Sequence, residues 1–277
     1  MTDAPRILMC RPDCYGIEYE INPWMNRERQ VDHDRAIRQW EGLRAILESI
    51  GVQIELVEPQ AGLPDLVFTA NAALIFGQKC VLSQFRHAQR QGEEPHFAAA
   101  LRSRNLEIVT LPEDLYFEGA GDALFCGETL FGGYRIRSTA LALQRVGALI
   151  SREVIPLELV DPRFYHLDTC FCPLSPERAI WFPPAFDAYG QDVIRSNVPS
   201  LIEIDETEAA AFGANAVVVG QHVVTNTGCP KLHENLRTSG FEPIETPLGE
   251  FVRAGGSAKC LTLRLDGEDA ANWNLVS

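Results

Sequence analysis

The sequence is poor in the features that mark several whole classes of protein. No apolar run approaches the roughly 18 residues that a membrane helix needs. The opening residues, MTDAPRILMC, lack a basic segment followed by an apolar one, so no secretory signal is read there. There is no C-x-x-C and no H-x-x-x-H, which counts against a structural zinc site. There is no G-x-S-x-G, no P-loop and no G-x-G-x-x-G after a strand, so serine-hydrolase and nucleotide readings lack support. Basic residues are scarce: 24 Lys and Arg against 38 Asp and Glu give a net charge of −14. That excess opposes a nucleic-acid partner, whose phosphates would be repelled. It suits a cationic small molecule, although many proteins are acidic for solubility alone. No Pro- or Ser-rich linker divides the chain, so a single domain over 1–277 is expected.

What is present is an ordinary globular composition, 46% hydrophobic and 22% charged over 277 residues, with ample material for a core. Eight cysteines, including Cys170 and Cys172 as C-x-C, have no disulfide-like spacing and read as reduced thiols of a cytoplasmic protein. The six histidines are dispersed.

A weak repeat runs through the chain. Five segments begin at VQIELVEP, LEIVTLPED, EVIPLELVD, SLIEIDETE and FEPIETPLGEF. Each is followed by a loop and then by a small residue opening an apolar strand: TANAALIF, AGDALF, LDTCFCPL, GANAVVVG and GSAKCLTLRL. In four of them a second strand follows a tight turn at Gly77-Gln78, Gly127-Glu128, Pro176-Glu177-Arg178 or Gly220-Gln221, a hairpin signal. Asn71, Asp122, Cys170, Asn215 and Cys260 are equivalent positions, spaced by roughly 50 residues, a period typical of propellers and arrays. Helical stretches lie between the hairpins: 32–50, with Ile37, Trp40, Leu43, Leu47 and Ile50 in register and Gly51 as a stop, then 95–104, 138–150, 207–212 and 230–239. The expected fold is therefore α/β, a closed ring of five modules, with Ile7–Cys10 completing the last one and removing exposed sheet edges.

In such a ring the equivalent loops meet at one end of the axis. They carry Asp65 with Asn71, Glu118 with Asp122, His166 with Asp168, and Cys260. A Cys, a His and several carboxylates drawn from separate modules form an enzyme constellation. Each member also has a plainer reading. Cys260, in AGGSAKCLTL, could be a buried core cysteine. If functional, it would open a strand, with Gly255 and Gly256 allowing close backbone approach to a ligand. His166 and Asp168, in FYHLDTCF, would share one face of a strand, the His as acid and base, or as a core His satisfied by a carboxylate. Glu118, in FEGAGDA, suits a planar cation but could be a solvated turn residue. Asp65, in LPDLVF, could be a turn or cap residue.

The motifs PDLVFTANA, FEGAGDA, YHLDTCFCPL and AGGSAKCLTL resemble those of the guanidino-group-modifying superfamily, which includes arginine deiminases, dimethylarginine dimethylaminohydrolases and amidinotransferases. The resemblance covers nearly the whole chain. It implies a five-bladed β/α propeller, the pentein fold, with pseudo-fivefold ββαβ modules. INPWM, RQGEEP and ETPLGEFVRAGG are similar to the arginine dihydrolase subgroup, in which a further C-terminal region follows; none follows here, so no second activity is expected. Where deiminases usually read F-T-R-D, this chain has Phe68-Thr69-Ala70-Asn71, as that subgroup does.

What the resemblance implies is hydrolysis of the guanidino group of L-arginine to ornithine, CO2 and ammonia, with neither metal nor cofactor. Cys260 would be the nucleophile, His166 the acid and base, and Glu118 and Asp168 the carboxylates that grip the guanidinium, with Asp65 beside them. Asn22, Arg90 and Arg137 would hold the amino-acid end, and Ala254 is a further binding position. Asn71, a neutral amide, would permit a second round of hydrolysis. The alternatives are a deiminase or dimethylargininase that stops at citrulline, and an amidinotransferase. A non-catalytic role, which the same fold also serves, predicts no Cys-His-carboxylate set. The expected partner is the small substrate alone, without nucleic acid or membrane, and with self-association open.

Overall fold

A computed structural model of the chain describes residues 4–268. It holds five three-stranded sheets built to one plan. The strands are β1 (Arg6–Cys10), β2 (Gln53–Val57), β3 (Ala73–Phe76), β4 (Lys79–Leu82), β5 (Glu107–Val109), β6 (Ala123–Cys126), β7 (Thr129–Tyr134) and β8 (Val154–Glu158). They continue as β9 (Phe171–Ser175), β10 (Arg178–Trp181), β11 (Ser200–Glu203), β12 (Val217–Val219), β13 (His222–Asn226), β14 (Glu242–Thr246) and β15 (Leu263–Arg264). In four sheets a hairpin supplies two antiparallel strands, and a third strand pairs parallel to the second. A parallel partner cannot be reached by a tight turn, so a crossover helix intervenes each time.

Those helices are α1 (His33–Ser49), α2 (Ala88–Gln91) with α3 (Glu94–Arg102), α4 (Ala140–Ile150), α5 (Ala188–Asn197) and α7 (Pro230–Thr238). Two short ones, α6 (Glu206–Ala210) and α8 (Gly249–Val252), lie in loops. The first crossover shows why the segments are helical. Asp32 caps α1 by accepting the Arg35 N–H, and Ala36, Trp40, Leu43 and Leu47 bury one stripe. Gly51 then takes a positive φ of 89° and ends it.

The fifth sheet is made from both ends of the described chain. β1 pairs antiparallel with β15, Ile7 opposite Arg264, and parallel with β2. It fills the place that the second hairpin strand occupies elsewhere, as the sequence suggests.

Two local expectations fail. His166 and Asp168 do not lie on a strand: Leu167–Thr169 is a 3-10 turn, closed by Thr169 N–H and Oγ1 on the His166 carbonyl. Cys260 does not open a strand either. It sits in a turn in which the Leu261 N–H reaches the Ser257 carbonyl, and β15 begins only at Leu263. In both places contacts from neighbouring modules replace the ladder bonds a strand would make. One helix, α5, gives no clear signal in the sequence, because only Gly190 and Ile194 of its ten residues are buried.

Candidate active site

Short turns precede the hairpins and pack side by side, and they carry the candidate residues. Asp65 lies in the turn Pro64–Val67 and Asn71 in Thr69–Ala72. Glu118 immediately precedes the turn Gly119–Gly121, and His166 precedes Leu167–Thr169. Close packing of these turns demands glycine at one point. Gly119 has φ of 62°, and a Cβ there would meet the Ala70 carbonyl and the Ala73 backbone at 2.9 Å. Gly256 also serves packing. A Cβ there would lie 2.5 Å from the Phe68 ring.

A cavity of about 240 Å³ is lined by Cys260, Asn22, Asp65, Asn71, Arg90, Arg137 and Ala254, together with Ile21, Met25, Phe68 and Tyr165. All six positions expected to bind substrate therefore face one space with the candidate nucleophile. The space is smaller than the roughly 300 Å³ at the low end of sites for drug-sized ligands, so it suits a small molecule. Asn22 donates to the Ala254 carbonyl at 3.0 Å, joining the irregular segment before α1 to the wall that holds the cysteine. A larger cavity, lined by Leu124, Phe171, Cys172, Val218, Lys259 and Glu268, contains none of the candidates.

The remaining candidates form two buried hydrogen-bonded groups around that space. In the first, Glu118 Oε2 meets His166 Nε2 at 2.7 Å and accepts from Arg137 Nη1 at 3.0 Å. Arg137 also donates to the Ile21 carbonyl and lies 4.5 Å from the Tyr165 ring centre. Burial alone would raise the Glu118 pKa, but Arg137 and His166 outweigh it and hold the carboxyl far below the ordinary range. Burial pulls His166 down to about 4, against the opposing pull of Glu118. The resting pair is thus a carboxylate and a neutral imidazole.

In the second group the Cys260 thiol donates to Asp168 Oδ2 at 3.4 Å, and Asn215 Nδ2 donates to the sulfur at 3.2 Å. Burial and the Asp168 carboxylate push the thiol well above its ordinary pKa. Burial pushes Asp168 up to about 7, while the Lys259 ammonium pulls the other way. Asp168 Oδ1 and Asp65 Oδ1 are buried without a hydrogen-bond donor. Each can accept an N–H group from a ligand; the Tyr19 hydroxyl is the chain's own donor near Asp65.

Arg90 and Arg137 are both engaged within the protein. Glu93, buried beneath Arg90, takes Nε and Nη2 at 2.9 and 2.8 Å. Arg90 Nη1 donates to Asn71 Oδ1 at 2.9 Å, which turns the Asn71 Nδ2 towards the Glu118 carbonyl at 3.3 Å. Glu93 and Asn215 were not singled out as site residues from the sequence. Glu93 looks like any helix-start carboxylate, whereas Asn215 carries a signal in being the repeat equivalent of Asn71. Among the described residues no group of three or more His, Cys, Asp or Glu is placed to hold a metal ion.

The raised Asp168 pKa has a measurable consequence. Between the ordinary carboxylate range and about pH 7 the unfolded chain releases this proton and the folded chain keeps it. Stability contributed by the protonated form is therefore lost as pH rises through that window. A neutral amide in place of the carboxyl would carry no such cost. Asp168→Asn should raise stability by roughly 1–3 kcal/mol at about pH 8 and by much less near pH 5, read by urea unfolding at both.

Comparison with known proteins agrees with this architecture. A family profile described as N,N dimethylarginine dimethylhydrolase, eukaryotic, matches residues 14–266. The bifunctional arginine dihydrolase/ornithine cyclodeaminase ArgZ of Synechocystis sp. is 46% identical over 270 residues, 96% of this chain but 38% of that protein. The chain thus spans well under half the length of that relative. The N(G),N(G)-dimethylarginine dimethylaminohydrolase of Mycobacterium tuberculosis is 37% identical over 94% of this chain and 85% of its own length. The crystal structure of the ArgZ N-terminal domain bound to substrate superposes with a TM-score of 0.92 at 46% identity, covering 95% of this chain and 98% of that one. On its sequence and its site, the chain belongs to the N,N-dimethylarginine dimethylhydrolase family.

Proposed function

We propose that the chain hydrolyses the guanidino group of L-arginine to ornithine, CO2 and two ammonia, consuming two waters. The observation that supports it most is the single cavity in which the Cys260 thiol faces Asp65, Asn71, Arg90 and Arg137. The 46% identity to an arginine dihydrolase adds to it. In this reading the whole chain is one catalytic domain, and its five sheets are the blades of a closed propeller with the cavity at one end of the axis. All eight cysteines are free thiols, in keeping with the cytoplasm as the location. No helix of the described residues is long and apolar enough to cross a membrane.

The guanidinium enters beside Asp168 Oδ1 and Asp65 Oδ1, the two oxygens that lack a donor, and its charge favours ionisation of the thiol. Held planar between carboxylates, its carbon lies in line with the sulfur. His166 takes the thiol proton, the Sγ–C bond forms, a C–N bond breaks, and the imidazolium passes that proton to the departing ammonia. Glu118 steadies the imidazolium as it forms. His166 then takes a proton from water, water oxygen adds to the carbon, and the C–S bond breaks to leave a ureido group. A second cycle on the ureido carbon releases the second ammonia and leaves a carbamate on the side-chain nitrogen, whose C–N bond breaks to give CO2 and ornithine. Asn22, Ala254 and Arg137, whose buried Nε has no partner, hold the amino-acid end, and Arg90 adds its charge to that wall.

Asn71 is assigned to the second cycle, in which the carbon bears a neutral carbonyl that an amide can hydrogen-bond and a carboxylate repels. Asn71→Asp keeps the acceptor for Arg90 and loses the donor. It should cut the ornithine-to-citrulline ratio by about tenfold. An unchanged ratio sinks this role.

The family match favours a second reading, in which dimethylarginine is hydrolysed to citrulline and the reaction stops. Incubation with each substrate, with ammonia, citrulline and ornithine quantified, separates the two. Ornithine with about two ammonia per arginine supports the dihydrolase. Citrulline from dimethylarginine, with arginine untouched, overturns it.

A further inference from the structure

Asn215 spends its whole hydrogen-bonding capacity on the two loops that carry Asp168 and Cys260. It is fully buried just before β12. Its Nδ2 donates to the Asp168 carbonyl at 2.9 Å and to Cys260 Sγ at 3.2 Å. Its Oδ1 accepts from the backbone N–H groups of Ser257 at 3.0 Å and Cys260 at 3.2 Å. An asparagine side chain has two donor hydrogens and two acceptor lone pairs, and all four are used. Only one orientation of the amide satisfies two N–H groups on one side and a carbonyl on the other.

The repeat explains how this residue came to be there. At the equivalent position in the first hairpin module Asn71 donates to the Glu118 carbonyl, and in the second Asp122 accepts from the Leu167 N–H. Each latches its module to the next. In the fourth module the next loop holds the nucleophile, so the same latch touches sulfur.

We propose that Asn215 is a positioning residue that acts through Cys260. Its Oδ1 fixes the turn that aims the sulfur, and its Nδ2 supplies the one side-chain donor in contact with that sulfur in the described structure. The inference rests on Cys260 being the nucleophile of the proposed reaction. The other charged or titratable groups around the sulfur are Asp168 at 3.4 Å, Tyr165, the neighbouring Lys259, whose ammonium acts on Asp168, and across the cavity Asp65, Arg90 and Arg137. Asp168 opposes a thiolate, while the Ser257 backbone N–H and the Asn215 amide favour one, so loss of the amide removes one of two opposing supports.

Asn215→Asp and Asn215→Ser test this. The aspartate keeps an oxygen for the two N–H groups but places negative charge where the donor was. The serine is smaller and brings no charge. Alkylation of Cys260 by iodoacetamide is followed against pH by mass spectrometry of its peptide, beside kcat and KM on arginine. The aspartate variant should shift the alkylation profile upward by about one pH unit or more and lower kcat at least about tenfold, with KM within about threefold. The serine variant should move both in the same direction by less. A folded variant whose alkylation profile and kcat stay within about twofold of the parent overturns the proposal. So does a change in melting temperature alone, or loss of fold in both variants, which assigns Asn215 to structure. Alkylation needs no turnover: a shifted profile in a protein that leaves arginine intact keeps the role of Asn215 and discards the substrate.

Discussion

Cys260→Ser should lower arginine turnover by about 10⁴-fold or more while leaving the protein folded and able to bind arginine. Every step of the proposed reaction passes through a bond to this sulfur. Serine changes one atom, and the Asn215 amide and the Asp168 carboxylate, at 3.2 and 3.4 Å from the sulfur, can hydrogen-bond its hydroxyl. The hydroxyl, however, is far harder to ionise than a thiol: the Asp168 carboxylate beside it is too weak a base for the task, and the resting imidazole of His166 is bonded to Glu118. The cavity wall is nearly unchanged, so calorimetry should still detect arginine binding. Residual ammonia release within about tenfold of the parent would remove Cys260 from the mechanism.

Glu118→Gln should be costly to activity and stability together. Glu118 is completely buried and is the counter-ion of Arg137, itself 1% exposed. The amide leaves Arg137 with the Ile21 carbonyl and the Tyr165 ring, and no anion, which costs about 3 kcal/mol. It also removes the charge that would stabilise a protonated His166, so turnover should fall by about 10³-fold. The pH dependence distinguishes this from a packing defect. The carboxyl is held far below its ordinary range, so its stabilisation is complete above the unfolded value and is lost as pH falls through the folded one. Urea unfolding near neutrality and in acid should show the gap between parent and variant narrowing on acidification. Asp168→Asn should behave in the opposite sense.

These two residues show what could be read from the sequence and what could not. The hairpins were legible because Gly77-Gln78, Gly127-Glu128 and Gly220-Gln221 sit between apolar runs, and α1 because its buried stripe keeps strict spacing. The parallel third strands follow from the helices between. The cavity-lining set was reached through the repeat and the family motifs, since no local pattern ties Asn22 to Ala254. The turns that hold His166 and Cys260 were misread as strands, because contacts between modules distant in sequence shape them. The pairing of Arg90 with Glu93 was invisible for a different reason: a carboxylate three residues after an arginine at a helix start reads as an exposed pair. Burial, which the sequence does not state, turns it into the support for a binding wall.

The antiparallel pairing of β1 with β15 has a kinetic side. Ile7 meets Arg264 across nearly the whole described chain, a contact whose loop-closure entropy is spent before any local reward arrives. The turn bearing Cys260 lies three residues before that strand, so the chain on its C-terminal side is anchored only when the two ends have met. Refolding followed by fluorescence should therefore recover most of its signal before thiol reactivity settles, and regained activity should keep time with closure of the last sheet.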